Sequence, residues 1–302
     1  MTFQRTAEWD AFGPWILPVT NADDVPRAFR AHPFRFDGGD TIVKVPRNVA
    51  RRDADPTMHL YDNVLTVNAD GLEVLTRDGD SYSTRTIPAT SIAAIEHGSD
   101  LLDGWFTVYP TEGARVEIRV SGAAGDTVAG LTDRLLDAAA PSDTDGTPSE
   151  ELRREALPER DVALVNAYRP IARRTSGLTV SAVFSAAAVA STESLLRRLR
   201  KGQATRSGAV IATGRSRLVV VTRHHPVSYG PKPDLSLRHI VVLRSALTGA
   251  SIVPHPSVRD TDLLELAVGA DRIVIGLPRD PTKIDTLLAD LPLLATGEME
   301  HR

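Results

Sequence analysis

Histidines and arginines are the residues whose grouping in this chain first suggests chemistry, and the chain contains no cysteine that could act as a nucleophile or a metal ligand. His224 and His225 are adjacent, and Pro226 indicates a turn that could bring both rings to one side. No carboxylate stands within the loop to complete a metal site, and exposed loop histidines are the alternative interpretation. Gly-x-Ser-x-Gly and His-Glu-x-x-His motifs are absent from the sequence. We therefore expect no catalytic residue, no metal site and no cofactor. The alternative hypothesis is an enzyme, with a site in a cleft between two domains and with His224, His225 or Asp53 taking part.

Basic residues are concentrated between positions 169 and 244, where 14 stand against two acidic ones. Such a tract attracts polyanions, including lipid headgroups. Aromatic residues for base stacking are scarce there, which makes nucleic acid an unexpected partner. The candidate anion-binding residues are Arg197, Arg198, Lys201, Arg215, Arg217 and Arg223.

An acidic first half is the alternative explanation for this tract. Residues 1–145 carry 13 basic and 23 acidic side chains, whereas residues 146–302 carry 22 and 16. Tethered domains of opposite sign attract each other, so the acidic half could cover the basic surface.

Three further segments have two interpretations each. The stretch 192–201 reads as a basic amphipathic helix, which either lies on a membrane or docks on its own domain. The arginines of 46–53 either clamp a phosphate or form ion pairs in a loop. Trp9, Phe12 and Trp15 form an aromatic cluster that either docks a partner or packs an N-terminal extension.

The elements that must position these residues occur twice in the same order. Apolar spacing predicts a helix near 23–32 and another near 159–171, each leading to an apolar strand. Alternating segments follow in both halves, and 70–77 (DGLEVLTR) matches 216–223 (SRLVVVTR) at four positions. Each half then ends in a helix, with Asp126 and Asp280 as acidic cap candidates. This pattern indicates a divergent duplication.

A curled antiparallel sheet closed by one helix is the economical way to bury such elements. Two parts of the chain resemble the pleckstrin-homology-like superfold in this respect. One is the strand series 63–120 with its closing helix at 127–137, and the other is the strand series 208–277 with its closing helix at 281–291. They are similar to bacterial proteins that carry such domains without a characterised enzyme activity, as is the segment 44–65. The resemblance implies an α+β, mainly β fold of two tandem domains. Each would be a partly open barrel of about six or seven strands with a closing C-terminal helix.

The expected boundaries follow the composition of the chain. Residues 1–137 hold the acidic domain with an N-terminal helix, 138–151 a linker, 152–294 the basic domain with its own helix, and 295–302 a tail. The sequence starts without a signal-peptide pattern and shows no segment apolar enough to span a bilayer, so we expect a cytoplasmic protein.

The expected function is non-catalytic binding or scaffolding, with a protein or peptide partner, or a second copy of the chain. Strand edges and the groove beside the closing helix would take that partner. Anionic lipid or phosphate binding by the second domain is the alternative.

Overall fold

Antiparallel strands dominate the structure. The computed structural model describes residues 6–36, 38–140, 147–192, 202–231, 234–289 and 291. Strands make up 43% of the chain, which confirms the expected α+β, mainly β class. The helices of the described ranges are α1 (Ala7–Ala11), α2 (Gly125–Ala139), α3 (Val162–Arg174) and α4 (Pro281–Ala289).

Strands of the first half of the chain are β1 (Leu17–Pro18), β2 (Thr41–Pro46), β3 (Tyr61–Asn68), β4 (Gly71–Asp78), β5 (Ser81–Pro88), β6 (Ile92–Asp100), β7 (Asp103–Pro110) and β8 (Val116–Ser121). Those of the second half are β9 (Thr179–Phe184), β10 (Ala187–Val189), β11 (Ala204–Arg206), β12 (Ala209–Thr213), β13 (Arg217–Thr222), β14 (Val227–Tyr229), β15 (Leu237–Leu243), β16 (Leu247–Pro254), β17 (Thr261–Val268) and β18 (Asp271–Pro278).

The chain forms two compact units. The first comprises Met1–Ile92, Leu101–Phe106 and Glu117–Pro141, and the second comprises Ala93–Asp100, Thr107–Val116 and Ser142–Arg302. Two segments of the first half, 93–100 and 107–116, therefore belong to the second unit. The boundaries expected from composition remain a prediction.

The first unit is built on a sheet of order β1-β2-β3-β4-β5. The apolar residues of β3 and β4 turn one face of this sheet into a core that includes Val64 and Leu75. Helix α2 packs against β3 and β4 and buries Val128, Leu131 and Leu135, as their i, i+3, i+7 spacing predicts.

Two local predictions in this unit are wrong. The segment near 23–32 is not one continuous helix, because Ala22–Asp24 and Arg27–Phe29 form two separate 3-10 turns. The Asn21 side chain accepts hydrogen bonds from the first turn, and Pro26 precedes the second and lacks the amide that a continuous helix would need. Asp126 is also not the cap of α2, because it lies in the first turn after Ala124.

Within the second unit, β6 joins the strands of the second half in the order β6-β15-β13-β12-β9. A separate sheet of order β16-β17-β18 faces the same apolar core, to which Leu264, Leu266, Ile273 and Ile275 contribute. These residues alternate along β17 and β18, as predicted for antiparallel strands with one buried face. Helix α4 begins at Pro281, as its sequence predicts.

The same order of elements occurs twice along the chain. In the first half, the meander β2-β3-β4-β5 leads through a 3-10 turn at Ala89–Ser91 to β6, β7, β8 and then α2. In the second half, β9-β12-β13-β15 leads through a 3-10 turn at Arg244–Ala246 to β16, β17, β18 and α4. Strands β10, β11 and β14 are additional in the second copy. These insertions make the second copy longer than the first.

Candidate functional site

The structure places the predicted anion-binding residues in different environments. Arg217 and Arg223 are buried, whereas Arg215 is exposed. Arg223 donates from Nη1 to the Ser236 carbonyl at 2.7 Å, which fixes its guanidinium inside the unit. Arg197, Arg198 and Lys201 lie outside the described residues, as does the predicted helix from position 193 onward.

Two other arginines of the basic tract donate to backbone carbonyls of their own unit. Arg206 donates to the Ser185 carbonyl at 3.0 Å, and Arg244 donates to the Gly214 carbonyl at 3.0 Å. Carbonyls near strand ends lack a ladder partner, and a guanidinium with five donors can satisfy them. Counting charges in the sequence therefore overstates the positive charge that this unit presents to a ligand.

Two members of the predicted aromatic cluster pack within the first unit. Phe12 is buried, with its ring edge against Tyr61 at a centroid distance of 6.2 Å. Trp9 lies partly buried beneath the guanidinium of Arg51, which also donates to the Trp9 carbonyl at 3.1 Å. Trp15 differs, because it is 56% exposed. The structure thus separates Trp15 from the two residues that it was grouped with.

The arginine-rich segment 46–53 serves two local roles. Arg51 donates to the carbonyls of Trp9 and Phe12 and so ties the N-terminal residues to the segment. Arg52 and Asp53 form an exposed ion pair at 3.6 Å. Both observations correspond to the loop interpretation of this segment.

His224 and His225 lie with ring centroids 4.5 Å apart, and burial lowers the pKa of His224. Within the described ranges, no group of three or more histidines and carboxylates is close enough to hold a metal ion. No helix in the same ranges is long and apolar enough to cross a membrane.

Sequence reasoning missed a second histidine pair. His97 of β6 lies directly opposite His239 of β15, with ring centroids 4.6 Å apart. The pKa of His97 is lowered to about 3, by burial first and then by the charges of His239 and the Arg174 guanidinium. The pKa of His239 is lowered to about 4, by burial first and then by the Arg174 guanidinium. Because the two residues are far apart in sequence, no local pattern could have paired them.

A buried ion pair crosses the same ladder. Arg238 donates from Nε and Nη2 to the two carboxylate oxygens of Glu96, at 2.8 and 2.7 Å. The Tyr109 hydroxyl adds a hydrogen bond to Glu96 at 2.9 Å, and Arg238 also reaches the Val274 carbonyl at 2.9 Å. Burial alone would lower the pKa of Arg238, but the hydrogen bonds and charge of Glu96 raise it. These contacts satisfy the buried charges and hold β6 on β15.

The β6–β7 turn exposes two adjacent leucines. Leu101 and Leu102 are 70% and 82% exposed, and Leu101 has a positive φ of 54°. That conformation costs a bulky side chain free energy and favours glycine or asparagine. The turn is nevertheless held in place, because Gly122 donates its amide to the Leu102 carbonyl at 2.7 Å. Asp100 and Asp103 flank the leucines, so the tip is apolar with acidic sides.

Two strand edges are further candidate binding surfaces. Among the described residues, β5 ends the sheet of the first unit, and β16 ends the three-stranded sheet of the second. Such edges present backbone N–H and C=O groups that can accept another strand.

The chain matches no protein-family model, no curated protein and no solved structure.

Proposed function

We propose that this chain is a cytoplasmic, non-catalytic binding protein of two tandem pleckstrin-homology-like domains, which takes a protein or peptide partner. The repeated order of four antiparallel strands, a 3-10 turn, three antiparallel strands and a helix supports the fold part of this proposal. Fold alone does not define function, so the binding part must rest on a surface.

The exposed tip formed by Leu101 and Leu102 is the observation that carries the proposal. Two adjacent large apolar side chains lie in water at the end of a hairpin, and removing them from water would be favourable. Burying both would contribute roughly 3–6 kcal/mol of gross transfer free energy, which is enough to anchor an interface. Gly122 holds the turn from below, so the partner meets a shape that is already formed.

The charge around the tip favours a protein partner over a membrane. Asp100 and Asp103 stand on either side of the leucines and would be repelled by an anionic bilayer surface. An apolar pocket with a basic rim is the complementary partner. The inward-pointing Arg206 and Arg223 leave less support for an anionic ligand on the second unit.

A capture experiment tests this function. The tagged full-length protein and its Leu101→Ser/Leu102→Ser variant are purified from the native cells, and the accompanying proteins are quantified. We expect at least one protein to fall by about tenfold or more with the variant, which corresponds to about 1.4 kcal/mol of lost binding. The matched control is Leu235→Ser, which removes another exposed leucine, one that is 57% accessible and far from the tip in sequence.

Identical sets of captured proteins for all three chains would contradict the proposal. A second measurement uses vesicles with and without phosphatidylserine. Sedimentation of the wild type, lost in the tip variant, would assign the leucines to lipid binding and overturn the protein-partner interpretation.

A further inference from the structure

The ladder between β6 and β15 joins a strand from each copy of the repeat. The two strands pair antiparallel over six residues, including Val242 opposite Ala94 and Ile240 opposite Glu96. The β6 strand leaves the 3-10 turn of the first copy, and β15 enters the 3-10 turn of the second. The fold thus already contains one edge-to-edge contact between the copies, made by defined strands in a defined register.

The counterparts of these two strands, β5 and β16, each lie at an edge of a sheet among the described residues. Strand β5 enters the turn at Ala89–Ser91 as β15 enters the turn at Arg244–Ala246, and β16 leaves the second turn as β6 leaves the first. Within the described part of the chain, β5 pairs on one side with β4, and β16 pairs on one side with β17. Each open edge therefore corresponds to an edge that finds its partner inside the molecule.

The composition of the two open strands favours pairing. Ser83, Thr84 and Thr86 of β5 are exposed, and threonine is one of the residue types that favour strands. The β16 sequence, LTGASIVP, carries no charge, and Arg85 is the one charged residue of β5. Bringing the strands together places no like charges opposite each other. Both strands are eight residues long, which is ample for a stable ladder.

We propose that β5 of one chain pairs antiparallel with β16 of a second copy of the chain, repeating between molecules the contact that β15 and β6 make within one. The register follows from aligning the 3-10 turn at Ala89–Ser91 with the one at Arg244–Ala246. In this alignment Val242 corresponds to Ile87 and Ala94 corresponds to Gly249, so Ile87 of one chain lies opposite Gly249 of the other. The same alignment places Arg85 opposite Ser251 and Ser83 opposite Val253. The contact joins two different edges, so it is head-to-tail and builds a closed ring or an open filament.

The contact is independent of the proposed function, because it uses strand edges rather than the leucine tip. Failure of the tip experiment leaves this proposal intact, and the reverse also holds.

The absence of native cysteine allows a sharp crosslinking test. One full-length preparation carries Ser83→Cys and a second, with a tag of different size, carries Val253→Cys. We expect the oxidised mixture to give a disulfide-linked species containing one chain of each kind, since directly opposed residues have Cβ atoms about 4.5–5.5 Å apart. Each preparation alone should stay uncrosslinked, because a head-to-tail contact brings no residue against its own copy.

The matched control mixes Thr84→Cys with Val253→Cys. Thr84 is the next residue of β5, so its side chain points to the opposite face of the strand and should not reach the partner's cysteine. Light scattering of the wild type over about 1–100 μM should show species heavier than 32.6 kDa that grow with concentration. A 32.6 kDa mass at every concentration, or crosslinking no stronger than in the control mixture, would overturn the proposal.

Discussion

Acidification should weaken this fold through one pair of histidines. His97 and His239 lie opposite each other where β6 pairs with β15. Burial is the main reason that both rings stay neutral, with the pKa of His97 lowered to about 3 and that of His239 to about 4. The Arg174 guanidinium disfavours a further positive charge at both rings. Protonation of both rings puts two positive charges into the β6–β15 ladder, close to the positive charge of Arg174 at the end of α3.

The size of the effect follows from proton linkage. Histidines of the unfolded chain take up protons below about pH 6.5, whereas the folded chain holds this pair neutral to about pH 4, so the free energy of unfolding falls as pH drops through that window. At pH 5 the difference of about 1.5 pH units corresponds to roughly 2 kcal/mol for each ring. Both rings keep some accessible surface, and water screens part of the penalty. We therefore expect about 1 kcal/mol for each ring and about 2 kcal/mol for the pair.

Urea unfolding at about pH 7, 6 and 5 measures this loss in the wild type and in a His97→Gln/His239→Gln variant. The decrease in unfolding free energy between pH 7 and pH 5 should be smaller in the variant by about 2 kcal/mol, since all other titrating groups are common to both chains. An Arg174→Gln variant should fall between them, because removing that charge raises the pKa of both rings toward the ordinary value. Parallel pH profiles for the wild type and the double variant would refute the reasoning.

Three further predictions concern residues that the structure singles out. Glu96→Leu should lower the free energy of unfolding, measured in urea, by about 3–5 kcal/mol because it leaves Arg238 buried without its carboxylate. Adding Arg238→Met should recover most of that loss. A double variant whose loss equals the sum of the losses of the two single variants would contradict this. Leu101→Asn should raise stability by about 1 kcal/mol and the melting temperature by a few degrees, since asparagine tolerates a positive φ; a lower melting temperature would argue against strain at the turn. Gly122→Ala should lower the free energy of unfolding by more than about 2 kcal/mol because the new Cβ would collide with the Leu101 carbonyl. Gly130→Ala, whose Cβ meets open space on α2, should raise the free energy of unfolding by up to about 1 kcal/mol. A higher melting temperature for Gly122→Ala than for Gly130→Ala would contradict this packing.

Local pattern was sufficient to predict the longer helices and strands that bury one apolar face. Alternation along β17 and β18 places Leu264 and Ile275 in the core, and the spacing of Leu164, Tyr168 and Ile171 identifies α3 and its buried face. The segment around Val25 misled the same reasoning, since two 3-10 turns can bury apolar residues at nearly the spacing of a helix. Strands of three residues, such as β10 and β11, are too short to show a period at all.

The candidate surfaces were harder to predict because they depend on contacts between distant parts of the chain. Arg215 and Arg217 look alike in sequence, yet only Arg215 is exposed, because burial is decided by the neighbouring strands. The pairing of β6 with β15 brings together residues about 140 positions apart, and no local period encodes which edges meet. The leucine tip, by contrast, carried a readable signal: two apolar residues between aspartates at a hairpin turn, where Asn-Gly or Asp-Gly is the common choice.

A difference between the two copies of the repeat independently supports a partner at the leucine tip. In the second copy, the loop that corresponds to the β6–β7 turn contains Val258, which is buried by Ala204 and Val227 of the inserted strands β11 and β14. Residues just after β10 extend this cover, since Ser191 bridges to Val258 and the Ala190 carbonyl accepts from the Arg259 amide at 2.8 Å. Among the described residues of the first copy, no additional strand stands between β2 and β3 or between β4 and β5. The β6–β7 turn of that copy presents Leu101 and Leu102 to water. The second copy thus covers the apolar residue of this loop with its own chain. This difference supports the proposed protein partner, because a segment packed on the tip as β11 and β14 pack on Val258 would remove Leu101 and Leu102 from water.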